Sequence, residues 1–347
     1  MPSQPDEAPP PHEVAPDPAA VIAAFGLGGH VEEMTPVSGA WSNRVYKLST
    51  GGAGYAVKQI RNPWGDPRWQ ERLDAAWTFE QRARAAGVAM PEPIPNPVDG
   101  GCLAWVDVLG GGSRVPVRVH AWVEGKPMRP GPVDRGVASW IGGTLATLHQ
   151  LDVAVEDRTL FPVANTDNAD RWPELVAAAE RAGASWAADL RALESHTRVV
   201  AELARASALR ADDEVMSHGD IDQKNIVMSA DGPVLCDWDV AVPLVPRTEL
   251  GDVAMSMAVW HELDVAREVI RAYRDGGGAD TEIRPEDFGP TLTSSLDWLV
   301  LNVERTLGLR AVTEAEADLG TRLVPRLIAE MPAQVGAAVR VRDTLSV

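Results

Sequence analysis

Apolar and polar positions alternate in short runs through the first third of the chain, then recur every three to four residues. Met34–Val37, Arg44–Leu48 and Gly54–Ile60 read as strands, with a turn containing Gly39 between the first two. A helix follows, which Asp66 caps, Pro67 opens and Gly87 ends. Its apolar stripe is Trp69, Leu73, Ala76 and Trp77, and Glu80 falls three residues further along the same face. A carboxylate on a buried face needs a partner. Leu103–Val108 and Val115–Trp122 are two more strands around the Gly110-Gly111-Gly112 turn, and Glu124-Gly125 breaks the second. Beyond Gly131 the period is helical: Val137, Trp140, Ile141, Leu145 and Leu148 share one face. Leu175–Leu209 (broken near Gly183), Leu263–Tyr273, Leu292–Leu307 and Leu319–Met331 read the same way. Among them sits a β-rich island, Asn225–Met228 and Val234–Asp237, with a tight hairpin at Asp231-Gly232. The pattern predicts an α+β chain with a small β-rich N-lobe over residues 18–124 and a mostly helical C-lobe over 125–347. Residues 1–17, rich in Pro and acidic side chains, read as a disordered tail.

A length of 347 residues agrees with two lobes. Asp and Glu number 50 against 32 Lys and Arg, a formal charge of −18. A duplex nucleic-acid partner needs a basic face, so that class is excluded. An acidic surface favours cationic ligands, or simply solubility. Cys102 and Cys236 have no metal-type spacing and make no disulfide framework. A secretory signal and a bilayer-length apolar run are both missing, so the expectation is a cytoplasmic protein with no membrane partner, as monomer or homodimer. The chain has four lysines (Lys47, Lys58, Lys126, Lys224), against 28 arginines. A lysine in such a chain suggests a use for its compact point charge.

The island carries the candidate chemistry. A hairpin folds Asn225 and Asp237 towards one end, where two oxygen ligands can hold magnesium that takes its other ligands from phosphates and water. Asp220 lies on the loop just before, placed to accept a proton from a hydroxyl nucleophile. Phosphoryl transfer requires metal ligands, a base and a lysine on the phosphates. Lys58, in the strand Tyr55-Ala56-Val57-Lys58, fits the last role, and Glu80 is its natural partner.

His218-Gly219-Asp220-Ile221-Asp222-Gln223-Lys224-Asn225, followed by Leu235-Cys236-Asp237-Trp238-Asp239, resembles the HGDxxxxN and IDF/IDW motifs of the aminoglycoside phosphotransferase and choline kinase-like superfamily. Further resemblances run in family order. They are the nucleotide loop Val37–Tyr46, the Gly87-Val88-Ala89-Met90-Pro91 turn, the helix segment Leu145–His149 and the segment Glu249–Ala254. The resemblance implies a bilobal protein-kinase-like fold. It implies Asp220 as catalytic base, Asn225 and Asp237 as magnesium ligands, Lys58 on the α- and β-phosphates and Glu80 orienting Lys58. The hinge resembles Val119–Gly125, with the Ala121 carbonyl and the Val123 amide on adenine. With one glycine in the nucleotide loop, backbone amides of residues 40–43, Ser42 and Asn43 among them, serve the phosphates. His218 fixes the catalytic loop, Asp239 supports the metal site, and Asp252 braces the loop from behind. His149 reads as a satisfied structural histidine.

The implied activity is ATP- and magnesium-dependent O-phosphorylation of a small molecule, with GTP left open as donor. The acidic balance points to a cationic antibiotic-type acceptor, for resistance or self-protection. The rival enzyme is a metabolic kinase for choline, homoserine or a sugar. A rival of another class is a catalytically inactive binding module, against which the presence of Lys58, Asp220, Asn225 and Asp237 speaks. Candidates for gripping the acceptor in the helical lobe are Trp260, Glu262, Asp264, Asp297, Trp298 and Glu304, each of which also reads as core or solvated face.

Overall fold

A computed structural model describes residues 14–38, 43–61, 65–161, 168–208, 213–279, 281–310 and 312–345. Among them the strands in chain order are β1 (Val31–Val37), β2 (Arg44–Thr50), β3 (Ala53–Gln59), β4 (Pro93–Ile94), β5 (Ala104–Asp107), β6 (Arg114–Ala121), β7 (Gly125–Pro127), β8 (Val215–Ser217), β9 (Ile226–Ser229), β10 (Gly232–Leu235) and β11 (Val242–Leu244). The helices are α1 (Pro18–Phe25), α2 (Trp69–Ala85), α3 (Arg135–Gln150), α4 (Asn168–Arg181), α5 (Ala187–Ala192), α6 (Glu194–Ala208), α7 (Pro246–Met257), α8 (Leu263–Asp275), α9 (Gly289–Thr306), α10 (Glu314–Val339) and α11 (Val341–Thr344). The expected α+β architecture is present, β-rich first and helical after.

The chain divides into two compact units: Met1–Met128 with Lys224–Ala241, and Arg129–Gln223 with Val242–Val347. In place of a single boundary after residue 124, the chain returns to the first unit for the β9–β10 hairpin. In that unit an antiparallel sheet runs β1-β2-β3-β6-β4, with β5 also on β6. The alternation that predicts the strands is the alternation that buries them. Tyr46, Leu48, Val57, Val117 and Val119 pack with Val21 and Phe25 of α1 in one core. By the same parity Lys58, Arg118 and His120 occupy the opposite face, with Lys58 directly across from Arg118 and Ala56 across from His120.

Helix α2 starts two residues later than predicted. Asp66 accepts a hydrogen bond from the Arg68 amide (3.0 Å), and the turn through Pro67 precedes the helix instead of opening it. Residues 14–17 are not tail, which corrects that part of the expectation. Pro16 bridges Val108, the Asp17 amide donates to the Asp107 carbonyl (2.8 Å), and Asp17 caps α1. Edge pairing of this kind needs backbone groups only, so a Pro-rich composition does not prevent it. The rest of that tail lies outside the described residues. A three-stranded sheet, β10-β9-β7, completes the first unit. The strand that Glu124-Gly125 was expected to end does end, at Ala121, and the chain then pairs closely with β9, where a Cβ at Gly125 would meet the Met228 carbonyl oxygen at 2.6 Å.

The second unit is helical, with β8 and β11 as an antiparallel pair. Helices α3 and α8 pack tightly at Gly142. Helix α7 buries Thr248, Glu249, Leu250, Gly251, Val253 and Ala254. Among the described residues no helix is long and apolar enough to cross a membrane.

Candidate active site

The hairpin pairs Leu235 with Ile226, and the Cys236 amide donates to the Asn225 carbonyl (2.8 Å). Asn225 and Asp237 therefore stand together at its open end, as the island predicted. Asp237 adopts φ 68°, a left-handed conformation that Asp tolerates better than most residues. It turns the chain into a short 3-10 helix, Trp238–Val240, that buried Trp238 pins by donating its indole N–H to the Leu235 carbonyl (2.9 Å) and by packing against Phe79 of α2.

The Lys58 Nζ makes a short ion pair with Asp237 and a second pair with Asp239 Oδ2 at 2.8 Å. Burial would lower the Lys58 pKa, but the two carboxylates outweigh it and hold the ammonium above its ordinary value. Glu80 is fully buried on α2, as its helical register requires, but its partners differ from the expected Lys58. Its Oε2 takes Arg118 Nη2 at 2.5 Å and its Oε1 meets His120 Nε2 at 2.8 Å. The reason is register: α2 presents Glu80 to β6, where Arg118 and His120 project, and Lys58 is left to the carboxylates after β10. Burial alone would raise Glu80; Arg118 and His120 reverse this and hold it below the usual carboxylate range. Burial and then Arg118 push His120 down, which favours the neutral ring. Arg118 Nη1 also binds Asp239 Oδ1 at 2.7 Å.

This cluster joins three carboxylates (Glu80, Asp237, Asp239) to two cations (Lys58, Arg118), one negative charge in excess. Among the described residues no group of three or more His, Cys, Asp or Glu forms a metal cage. A carboxylate that is 37 % exposed, a nearby Asn and one uncompensated charge suit magnesium, which keeps waters and phosphate oxygens as most of its ligands. Asn43 is tied to this cluster: its Nδ2 donates to Asp239 Oδ2 (3.3 Å) and its Oδ1 accepts from the Arg61 amide (3.1 Å). Ser42 and the loop tip at 39–42 lie outside the described residues. Ala121 ends β6 with its amide on the Glu92 carbonyl (2.8 Å), the Trp122 amide binds Gly54, and Val123 follows.

In the second unit Asp220 is half-buried on the loop after β8. Gly219 has φ 78°, and this left-handed turn lets its amide donate to Glu249 Oε1 at 3.0 Å. His218 is completely buried, and its Nδ1 accepts from the Asp220 amide (3.3 Å). Glu249 Oε2 meets His149 Nε2 at 2.8 Å, and His149 Nδ1 meets the Tyr273 hydroxyl at 2.9 Å. Burial pushes Glu249 up, but the hydrogen bond from His149 overrides it. Glu249 is thus the carboxylate bonded to the backbone of the loop after β8, the place expected for Asp252, three residues on. Asp252 instead takes the Ser256 hydroxyl (3.3 Å), and burial together with nearby Glu249 pushes it up to about 7. Arg118 and Glu249 were missed as site residues. Their signals were charged side chains at positions that the strand and helix periods bury.

The acceptor candidates separate. Asp264 is 97 % exposed and paired with Arg267, and exposed Glu262 sits beside His261. Trp260, at φ 63°, stacks obliquely on Phe288. Asp297 accepts a short hydrogen bond from Asn168, and the Trp298 ring lies under Arg305. Glu304 binds Arg171 (2.9 Å) and Arg310 (3.3 Å) and lines a cavity of about 280 Å³ with Asn168, Leu175 and Val300. Asp297 and Glu304 share one face of α9; the others are not brought to it.

A model of the phosphotransferase enzyme family matches residues 33–285. Sequence comparison with curated proteins gives no match. Several solved structures share the fold. Spectinomycin phosphotransferase in complex with ADP and spectinomycin is 10% identical, with 90% of this chain and 96% of that chain covered and a TM-score of 0.65. An aminoglycoside phosphotransferase from Alicyclobacillus acidocaldarius is 13% identical over 94% and 96%, with a TM-score of 0.59. A microcompartment-associated aminopropanol kinase is 14% identical over 94% and 96%, with a TM-score of 0.60. With the match spanning most of its length, the chain belongs to the phosphotransferase enzyme family, small-molecule kinases of the protein-kinase-like fold.

Proposed function

We propose that the protein is an ATP- and magnesium-dependent O-phosphotransferase whose acceptor is a hydroxyl of a cationic, antibiotic-type natural product. The observation that carries the transfer chemistry is the meeting of Lys58 with Asp237, 179 residues apart in sequence. Lysine and metal-ligand carboxylate in contact are what a triphosphate requires. Asn225 and Asp237 would hold magnesium, which would supply charge stabilisation to the phosphate oxygens. Lys58 holds the α- and β-phosphates by its ammonium, and the Ala121 carbonyl and Val123 amide take the adenine edge. Asp220 accepts the proton of the acceptor hydroxyl as that oxygen bonds to the γ-phosphorus and the bond to the β-phosphate oxygen breaks, releasing ADP. Glu249, held by His149, and buried His218 keep the Asp220 loop in place for this proton transfer. Asp239 positions Lys58, and Asp252 is structural.

Support for the acceptor class comes from the formal charge of −18, which favours a cation, and from the likeness in fold to a spectinomycin phosphotransferase. Localisation in the cytoplasm, where ATP is available, belongs to the same proposal. The test is a panel of hydroxylated antibiotics and small amino alcohols incubated with ATP and magnesium, read by product mass. A phosphorylated aminoglycoside-like product is expected, and Asp220→Ala abolishes it while ATP binding persists. Transfer only to a choline- or aminopropanol-type acceptor would place the enzyme in metabolism instead. Turnover undiminished in Asp220→Ala would overturn the mechanism.

A further inference from the structure

Lys58 and Arg118 face each other directly on β3 and β6. Like charges so placed repel each other, with Arg118 buried at 1 % exposure and Lys58 half-buried at 14 %. One carboxylate reconciles them. Asp239 gives Oδ2 to Lys58 (2.8 Å) and Oδ1 to Arg118 (2.7 Å). The other guanidinium nitrogen of Arg118 is held at 2.5 Å by Glu80 on α2, and Glu80 is fixed in turn by His120. The order Glu80, Arg118, Asp239, Lys58 is a continuous line of charge-assisted contacts from a helix to the ammonium.

We propose that Arg118 is a positioning residue for phosphoryl transfer, holding Asp239 and through it the Lys58 ammonium in the place where the nucleotide phosphates are met. The inference rests on the reading of Lys58 given above. Lys58 has two carboxylate partners, and Asp237 is the one that a magnesium–nucleotide complex engages. Asp239 is then the remaining anchor of Lys58, and Arg118 is the buried cation that keeps Asp239 from following Lys58. A planar guanidinium binds two carboxylates from two directions at once; a lysine ammonium lacks that fork. Glu80 therefore acts on Lys58 at one remove, through Arg118 and Asp239.

The test measures the Kd of ATP with magnesium by titration calorimetry, alongside the melting temperature, on the full chain. Arg118→Met alone leaves Glu80 charged and buried, so the variant used is Glu80→Gln/Arg118→Met, which removes both charges. Asp239→Asn is the second variant and carries the test if the first does not fold. Each is expected to weaken ATP binding about tenfold, as for one misplaced charge-assisted contact. Added to Lys58→Met, each should change Kd less than about twofold, because the effect passes through Lys58. A loss of melting temperature with unchanged Kd, or equal effects with and without Lys58, would make Arg118 purely structural. If Lys58→Met itself leaves Kd unchanged, the reading of Lys58 fails and the inference with it. If Lys58→Met weakens binding and the Arg118 and Asp239 variants do not, the inference alone fails.

Discussion

Glu80 and Arg118 form an ion pair from which water is excluded: 0 % and 1 % of their side chains are exposed. Removing Glu80 leaves buried Arg118 with Asp239, already shared with Lys58, as its remaining carboxylate, and breaking a buried pair in this way costs about 3–5 kcal/mol. Glu80→Ala should lose that much in urea denaturation, whereas Lys58→Met, at the wetter end of the network, should affect ATP use more than stability. Asp252 gives a pH signature. Its carboxyl ionises at about 7 in the fold, against 3.8 ordinarily, so the native state keeps a proton that the unfolded chain releases. The stability this supports is complete below the ordinary value and is lost as pH rises through the native one. Asp252→Asn cannot lose it, so its melting temperature relative to the parent should climb between about pH 4 and 7 and level off above, by the equivalent of a few kcal/mol. Parallel melting curves would mean that Asp252 is ionised in both states. Glu80 was legible because three-residue spacing from Trp77 puts it on the buried face of α2. Its partner was not, because pairing β3 with β6 is a tertiary fact. Arg118 and His120 alternating with valines in one strand was the signal available.

Two adjacent glycines in α3 test how that helix seats against α8. A Cβ at Gly142 would meet the Val269 carbonyl oxygen at 2.3 Å and the Tyr273 amide at 2.8 Å; at Gly143 it would meet nothing within 4 Å. Gly142→Ala should therefore destabilise by about 1–3 kcal/mol, while Gly143→Ala stabilises by about 0.5–1 kcal/mol through helix propensity. The first change also moves α3 against the helix that carries Tyr273, partner of His149, which holds Glu249 and the Gly219 amide. Loss of kcat with little change in KM for ATP is the expected kinetic mark, checked by steady-state rates with a hydroxyl acceptor. Amphipathic helices such as α3 and α8 were readable from their period. Helix α7 was not, because burial on nearly all sides leaves no polar stripe to set a period. Three-residue strands such as β7, β8 and β11 are too short to show alternation at all. The β9–β10 hairpin was legible because a Gly-containing turn and two apolar runs agree, and with it the position of Asn225 and Asp237.

A formal charge of −18 acts on both substrates of the proposed reaction with opposite sign. The field raises the local concentration of a cationic acceptor and lowers that of a nucleotide triphosphate, whose excess negative charge magnesium only partly offsets. Salt removes both effects, since the screening length falls from about 30 Å at 0.01 M to about 10 Å at 0.1 M. Over that range KM for a cationic acceptor should rise and KM for ATP should fall, with kcat nearly constant, because the buried Glu80–Arg118–Asp239–Lys58 line is shielded from bulk ions. A neutral acceptor, such as a sugar, should show only the ATP effect. Steady-state kinetics at several ionic strengths therefore separate the acceptor classes without a structure of the complex. An acceptor KM indifferent to salt would remove the cationic class, while proton transfer at Asp220 would stand, because that step depends on local geometry rather than on the field of the whole chain.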